Sequence, residues 1–332
     1  MKRTSPRSVV MLLATAMIWG SSFVAQSVSM KQIGPFTFNA ARSLLAGVCL
    51  IPAIFLLDGM RGEEERAKLA PSNWAEWKEL LVAGLCCGLA LGAAASLQQL
   101  GIVYTTASKA SFLTTLYVVI VPFLGVIFLK QKLPRIIWVC VALALAGLYQ
   151  LSMSGPMGLE LGDSMILLCA AAYAVHILVA AHFSPKVDPV RMSCIQFFTC
   201  SIVSCLLMLL TEQPDVNAVL SVWQPIAYAG ILSSAVAYTF QVVAQKNCDP
   251  TVASLLLSLE SVFGALFGSL LLHERLGTRE LRGCGLILSA IVLAQIPEEK
   301  WKKWAEKCRL RRGKEKRLDN STMKNANGRD FL

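Results

Sequence analysis

Three ionisable side chains lie inside long apolar stretches of the sequence, where a charge is costly: Glu260, Arg42 and His176. Such groups usually belong to ion paths, proton relays or ligand sites. Glu260 could exchange a proton, or could be a structural partner for a basic group. Arg42 could bind a carboxylate, pair with Glu260, or extend its charged end to the membrane surface. His176 could titrate near neutral pH, or could serve only as a contact between helices.

Five uncharged side chains in these stretches are further candidates for lining a cavity: Gln98, Gln241, Trp19, Ser22 and Tyr117. The two glutamines could hydrogen-bond a polar solute, or could join neighbouring helices. Trp19 and Tyr117 could also be anchors at a membrane interface. The eight candidates together predict a polar site within an apolar protein.

The composition indicates which elements must position these residues. The 332 residues are 55% hydrophobic and 16% charged, where a soluble domain carries roughly 25% charged residues. Runs of about 20 mainly apolar residues, the length of a spanning helix, recur between short polar breaks. They cover residues 8–29, 36–57, 79–100, 108–129, 134–153, 161–182, 190–211, 223–245, 251–272 and 280–297. The sequence predicts an all-α integral membrane protein of about ten transmembrane helices.

The net charge of +10 is concentrated after the last apolar run. Twelve Lys and Arg residues follow from Lys300 onward, so residues 298–332 are predicted to be a basic cytoplasmic tail on anionic lipid. This location argues against nucleic acid as a partner. Outside loops would hold only Lys31, Lys109, Arg275, Arg279 and Arg282. Positive charges favour the cytoplasmic side, so we expect both termini there.

Several classes of function lack their motifs. Nine of the eleven cysteines lie in apolar stretches without metal-ligand spacing, so they are predicted to be packing residues. With three histidines in all, the sequence predicts no metal and no cofactor. A phosphate-binding G-x-x-x-x-G-K-[ST] loop is absent, which argues against an ATP-driven pump. An intramembrane enzyme acting on lipid head groups is the alternative hypothesis, but it lacks a nucleophile or metal cluster.

The chain repeats itself internally. An offset of 143 residues places Gln98 on Gln241, and an offset of 154 places Trp19 on Tyr173. The predicted units are residues 1–155 and 156–297, each with five spans. Because five is odd, the second unit must enter the membrane from the opposite side, which gives two inverted five-helix repeats. Such repeats can open a central site first to one side and then to the other.

Several short motifs carry a family resemblance. They are Ile18–Phe23, Pro35–Arg42, Leu100–Ser108, Val121-Pro122, Ser258–Glu260 and His273–Leu276. With these motifs the chain resembles the drug/metabolite transporter superfamily, in particular EamA-type transporters with two five-helix domains. One departure is Lys130-Gln131-Lys132, where members usually have a Glu-containing turn like that at Glu274.

The resemblance implies a multi-pass carrier of the bacterial inner membrane, often an exporter of amino acids or other metabolites. Its cavity would be lined by both halves, and its partner would be a small-molecule substrate. Together with the inverted repeats, it predicts a secondary transporter that works by alternating access, with Glu260 as the candidate for proton coupling. A homodimer is a further partner that the sequence leaves open.

Overall fold

The computed structural model describes residues 4–62, 69–104, 107–128, 130, 133–152, 161–272 and 277–296. Within them every regular element is a helix. The uninterrupted helices are α1 (Pro6–Ser29), α2 (Pro35–Met60), α3 (Trp74–Tyr104), α5 (Arg135–Ser152), α6 (Leu161–Phe183), α7 (Pro189–Thr211) and α10 (Thr278–Gln295). The predicted tail, 298–332, and the motif at 273–276 lie outside the described residues.

Three helices are interrupted. Helix α4 has two segments, Ala107–Thr115 and Tyr117–Phe128, and α9 has two, Pro250–Leu257 and Leu259–Leu272. Helix α8 runs from Trp223–Ala227 through a π-helix, Tyr228–Tyr238, into Thr239–Gln245, after a short helix, Val216–Ser221. Tyr117 is the first residue after the break in α4, and Glu260 is the second residue after the break in α9. Interruptions of this kind are frequent at functional sites.

Proline begins four of these helices. Pro6, Pro35, Pro189 and Pro250 each occupy the first helical position, where the missing N–H costs no hydrogen bond. Asp249 precedes the last of them and accepts a hydrogen bond from the Thr251 amide at 2.9 Å. Burial raises the pKa of this Asp249 carboxyl above its ordinary value.

Seven helical stretches are long and apolar enough to cross a membrane. They are Pro35–Met60, Trp74–Tyr104, Ala110–Phe128, Leu161–Phe183, Pro189–Thr211, Trp223–Gln245 and Pro250–Phe267. The predicted spans at 8–29, 134–153 and 280–297 coincide with α1, α5 and α10, which do not meet the same standard of length and composition. The length and composition of these helices therefore support a multi-pass architecture, and the count of ten spans stays a prediction.

The contacts between the two halves come in matching pairs. Helix α1 packs on α8 and α9, and its counterpart α6 packs on α3 and α4. Helix α2 packs on α7 and α8, and its counterpart α7 packs on α2 and α3. Helices α4 and α9 also touch, as do α5 and α10. Exchanging the halves therefore reproduces these main helix contacts.

The crossing of α2 and α7 shows this relation at the level of atoms. Ser201 donates to the carbonyl of Ala40 at 3.1 Å, and the Cys194 thiol donates to the carbonyl of Gly47 at 3.6 Å. Ala40 and Cys194 are equivalent at the offset of 154 residues, and so are Gly47 and Ser201. The two bonds therefore join equivalent pairs of positions, although α7 is the donor in both.

A cluster of charges ties one end of the α2–α7 pair. Arg61 contacts Asp58 at 3.2 Å and Asp188 at 2.8 Å. Arg191 contacts Asp58 at 2.5 Å and Asp188 at 3.5 Å, which closes a ring of four charges. Asp188 also accepts hydrogen bonds from the first turn of α7. The ring therefore joins the C-terminal end of α2 to the beginning of α7.

At the other end of the α2–α7 pair, a single carboxylate joins the two helices. The Glu212 carboxylate accepts the backbone N–H groups of Phe36 and Thr37, each at 2.8 Å, and the Thr37 hydroxyl at 2.6 Å. A carboxylate is favourable at a helix N-terminus because the amides there have no partner within the helix. Glu212 and Asp58 are equivalent at the offset of 154 residues, so each half contributes one acidic tie to the other.

Candidate functional site

Both halves line one small central cavity. Its lining residues are Trp19, Ser22, Phe23, Gln26, Arg42, Gln98, Thr114, Tyr117, Tyr173, Ser233, Tyr238 and Glu260. The structure thus brings together six predicted candidates: Trp19, Ser22, Arg42, Gln98, Tyr117 and Glu260. The cavity measures about 30 Å³, counted as the space open to the centre of a water-sized sphere. One water needs about 10–15 Å³ on this measure, so the described conformation has no room for a metabolite.

Glu260 lies at this cavity and is buried, with 4% of its surface exposed. Its Oε1 accepts hydrogen bonds from the Tyr117 hydroxyl at 3.3 Å and the Thr115 hydroxyl at 3.1 Å. The Thr115 hydroxyl also contacts the Ser111 carbonyl at 2.7 Å. Among the described residues no cation lies within ion-pair distance of Glu260. Its alternative role as the partner of a basic group is therefore not seen in this conformation.

The Thr115 hydroxyl suits Glu260 in either protonation state. If Glu260 is ionised, Thr115 and Tyr117 donate to it. If Glu260 is neutral, its own proton can be donated to Thr115, and the Thr115 proton then goes to the Ser111 carbonyl. Since a hydroxyl both donates and accepts, neither state leaves this contact without a hydrogen bond.

Gly20 allows α1 to pack closely beside Glu260. A Cβ atom on Gly20 would lie 2.7 Å from the Glu260 carbonyl oxygen and 2.7 Å from the Gly264 nitrogen. Both are backbone atoms, which cannot move aside as a flexible side chain could. The glycine in the Trp19-Gly20-Ser21 motif is therefore a packing requirement of the α1–α9 contact.

Arg42 enters the cavity from α2 and is also buried, with 5% of its surface exposed. Its guanidinium lies over the Phe38 ring, 5.5 Å from the centroid, in a cation–π contact. Its Nε atom is buried without a hydrogen-bond partner in the described structure. Arg42 and Glu260 line the same cavity, yet the described side chains form no ion pair there. Arg42 therefore neither pairs with Glu260 nor extends to the surface in this conformation.

Aromatic and amide groups form a chain along the cavity wall. The Trp19 indole N–H donates to a backbone carbonyl of α8 at 3.0 Å, and its ring lies 4.5 Å from that of Tyr238. Tyr238 donates to Tyr173 at 3.2 Å, and Tyr173 donates to the Gln98 side-chain oxygen at 3.1 Å. The chain therefore connects Trp19 of the first half to Tyr238 and Tyr173 of the second half.

Two predicted candidates do not line the cavity. His176 is fully buried, and its Nε2 lies 2.9 Å from the side-chain oxygen of Gln196. Its ring meets that of Tyr238 edge-on, with centroids 5.9 Å apart. Gln241 is buried, and both polar atoms of its side chain lack a hydrogen-bond partner in the described structure. Gln98 and Gln241 thus occupy matching places in the repeats but different places relative to the cavity.

Six lining residues were missed as candidates from the sequence: Phe23, Gln26, Thr114, Tyr173, Ser233 and Tyr238. Tyr173 is the repeat counterpart of Trp19, a signal that could have marked it. Gln26 lies one turn beyond Ser22 and donates to its hydroxyl at 3.2 Å, so helical spacing could have found it. Ser233 and Tyr238 lie in the π-helix of α8, which an ordinary helical period does not predict.

A many-helix protein whose two halves enclose a polar central cavity has the architecture of a membrane transport protein. A sequence model of the EamA-like transporter family matches residues 6–153 and again residues 160–295. The chain belongs to this family and is a multi-pass membrane protein.

The relatives carry transporter names. An uncharacterized transporter of Archaeoglobus fulgidus is 29% identical over 286 residues, which cover 86% of this chain and 84% of that protein. The uncharacterized inner membrane transporter YedA of Escherichia coli is 25% identical, covering 86% of this chain and 89% of YedA. A solved crystal structure matches with a TM-score of 0.70 at 18% identity, covering 87% of this chain and 97% of that one. This likeness shows the fold.

Proposed function

We propose that this protein is a secondary transporter that exports small zwitterionic metabolites, such as amino acids, in exchange for protons. The main support is that a buried cation, Arg42, and a buried carboxyl group, Glu260, line one cavity without pairing with each other. Charges buried without a partner are unfavourable, so a ligand of complementary charge would stabilise both.

A zwitterion fits this arrangement. Its carboxylate would bind the Arg42 guanidinium, which presents several donors in a plane that matches carboxylate geometry. Its ammonium group would bind the Glu260 carboxylate. Trp19, Tyr117 and Tyr238 supply ring faces and hydroxyl groups around the rest of the molecule.

Glu260 would also carry the coupling proton. When the substrate is bound, an ionised Glu260 faces the ammonium group. After release, a proton replaces the substrate and neutralises the buried carboxylate, with Thr115 as hydrogen-bond partner in both states. The carboxyl group therefore binds either substrate or proton, which is the requirement for exchange of the two.

Alternating access would come from the ten spans in their two inverted repeats. The cavity is too small for a metabolite in the described conformation, so helices must move to admit one. The matching helix contacts of the two halves support two equivalent ways of opening. In this proposal both termini lie in the cytoplasm of a bacterial cell, and the basic tail contacts the anionic inner leaflet.

The proposal is tested with inside-out membrane vesicles and a panel of amino acids and other metabolites. An acidic lumen provides the proton gradient that would drive substrate into the vesicle. Wild-type protein should accumulate at least one zwitterionic solute when the gradient is present, and Glu260→Gln should abolish this gradient-driven uptake.

Glu79→Gln is the matched control, because Glu79 is an exposed carboxylate on α3 and the chemical change is identical. It should transport like wild type. Failure of the wild-type protein to move any solute of the panel under any gradient would overturn the transporter proposal. Uptake that is equal in wild type and Glu260→Gln would remove Glu260 from the mechanism.

A further inference from the structure

Two cavity residues on helices α1 and α2 have polar counterparts in the second half that do not line the cavity. At the offset of 154 residues, Ser22 corresponds to His176 and Arg42 corresponds to Gln196. Ser22 and Arg42 line the cavity, whereas His176 and Gln196 contact each other beside it. The same offset relates Trp19 to Tyr173, and both of these line the cavity. The two frames therefore correspond at Trp19 and Tyr173, whereas His176 and Gln196 differ from Ser22 and Arg42 in their position relative to the cavity.

The His176–Gln196 pair is buried but only partly hydrogen-bonded. Each residue is 0% exposed. One contact joins His176 Nε2 to the Gln196 side-chain oxygen, while His176 Nδ1 and Gln196 Nε2 lack a partner in the described structure. Buried polar groups are nearly always paired, so two open atoms on neighbouring side chains require an explanation. One explanation is that these two atoms find a hydrogen-bond partner in another conformation.

The pair is separated from the cavity by a single aromatic ring. The His176 ring lies edge-on to Tyr238, at 5.9 Å between centroids and 76° between planes. Tyr238 lines the cavity and donates to Tyr173. It also lies at the end of the π-helix of α8, the irregular part of that helix. A modest shift of Tyr238 would join the pair to the cavity.

We propose that His176 and Gln196 form a second polar subsite, which binds the carboxylate end of the substrate in the opposite conformation, in which the second half has the arrangement that the first half has here. This inference rests on the proposed function. In inverted repeats the change of access exchanges the environments of equivalent residues, so the second half then adopts the arrangement the first half has here. His176 and Gln196 would then line the cavity as Ser22 and Arg42 do now.

The chemistry of the two subsites differs in strength. Arg42 offers a charged fork of donors, whereas Gln196 offers a neutral amide and His176 a ring nitrogen. The substrate would be held firmly by Arg42 in one conformation and weakly by the second subsite in the other. A carrier that binds its substrate tightly in one conformation and weakly in the other can release the substrate from the second conformation.

Modification by diethyl pyrocarbonate tests the exposure of His176 in the unaltered full chain. The reagent modifies histidine rings that water can reach, and peptide mass spectrometry resolves each site. His182 is exposed and provides the internal positive control. In proteoliposomes, His176 should become modified slowly in wild type as the protein samples the opposite conformation. A transported solute should change this rate while leaving that of His182 unaltered.

Gln196→Leu tests the role in transport, with Gln224→Leu at an exposed position as the matched control. We expect Gln196→Leu to lower the maximal transport rate. Substrate-dependent thermal stabilisation should persist, because Arg42 is untouched. Gln224→Leu should behave as wild type, and a retained unfolding midpoint would show that Gln196→Leu folds.

Failure of the second subsite can be distinguished from failure of the proposed function. If wild type moves no solute, the proposed function fails, whatever the labelling shows. If wild type transports but His176 stays unmodified while His182 reacts, the second subsite is wrong. The same conclusion follows if Gln196→Leu transports at the wild-type rate.

Discussion

The two halves of the molecule share one frame but carry different chemistry. Trp19 and Tyr173 are equivalent, and both supply aromatic rings to the cavity. At another pair of equivalent positions, the first half carries the charged Arg42, whereas the second half carries the neutral Gln196. The repeat therefore conserves the positions of the helices around the cavity, while single side chains decide what each half can bind.

The halves meet at the pair Tyr117 and Glu260. These residues are equivalent at the offset of 143, and the Tyr117 hydroxyl lies 3.3 Å from Glu260 Oε1. In the proposed inverted repeat, equivalent residues touch only near the axis that relates the halves, which would place this pair beside the axis. A tyrosine then faces a carboxyl group across the axis, so the two halves are chemically unequal there.

The largest expected effect comes from making the first half resemble the second. Arg42→Gln replaces a buried guanidinium by the amide found at Gln196. Because the charge-assisted bond to a carboxylate would be lost, we expect uptake at low substrate to fall by about 10- to 100-fold. Initial uptake rates over a range of substrate concentrations measure this.

Two controls accompany the Arg42 variant. Arg7→Gln, at an exposed position near the N-terminus, should transport like wild type. Arg42→Lys should be intermediate, since it keeps the charge but loses the planar fork. Unaltered saturation behaviour of Arg42→Gln would show that Arg42 does not bind the substrate.

The second effect concerns helix packing in the two halves. Gly20 at the α1–α9 contact is equivalent to Ala174 on α6, so one half accepts a Cβ where the other does not. Gly20→Ala should lower the free energy of unfolding by about 1–3 kcal/mol, because the added carbon meets backbone atoms at 2.7 Å. Thermal unfolding of the purified protein measures this change.

Gly285→Ala is the matched control for Gly20→Ala. An added Cβ at Gly285 has nothing within 4 Å, and Gly285 also lies within a helix. Its unfolding midpoint should therefore stay at or slightly above that of wild type. Equal losses in the two variants would contradict the packing argument.

The third effect compares the two ties of the α2–α7 pair. Asp58→Asn weakens a ring in which two arginines share two carboxylates, so two partly buried positive charges are left with less compensation. Glu212→Gln keeps one oxygen, which can still accept one of the two backbone N–H groups. We expect Asp58→Asn to cost about 2–3 kcal/mol of unfolding free energy and Glu212→Gln about 1 kcal/mol or less.

Thermal unfolding of both variants under the same conditions tests this order. Glu79→Gln again provides a control at an exposed carboxylate and should be close to wild type. A greater loss for Glu212→Gln than for Asp58→Asn would show that helix capping at one end outweighs the ion cluster at the other.

The smallest effect is expected at the axis itself. Tyr117→Phe removes one long hydrogen bond to Glu260, while Thr115 remains in contact. We expect the gradient-driven uptake rate to change by only about two- to fivefold. Uptake over a series of imposed pH gradients measures this. A complete loss of coupling would show that Tyr117 itself carries the proton.

Much of the fold could be predicted from the sequence, because an apolar run of spanning length has few structural alternatives to a transmembrane helix. The predicted spans 36–57 and 190–211 agree closely with Pro35–Met60 and Pro189–Thr211, where proline marks each beginning. The span predicted at 79–100 is longer in the structure, Trp74–Tyr104. Its first turn contains Glu76 and continues the helix beyond the apolar run, which a hydropathy argument does not detect.

The site could be predicted only in part. The cost of a buried charge led to Arg42 and Glu260, and both line the cavity. The same reasoning selected His176, which instead contacts Gln196 beside the cavity. Whether a polar group faces a cavity or a neighbouring helix depends on the rotation of its helix about the helix axis. A single sequence does not define this rotation. Tyr238 escaped notice because the π-helix shifts the helical period.

The most direct test of the central claim is the movement of protons driven by substrate. Purified protein in liposomes with a pH-sensitive dye inside would be exposed to a transported zwitterion, in wild type and in Glu260→Gln. We expect a substrate-dependent proton flux in wild type. In Glu260→Gln this flux should be absent, while labelled substrate still exchanges for unlabelled substrate. A normal proton flux in Glu260→Gln would contradict the account, because the proton would then be carried elsewhere.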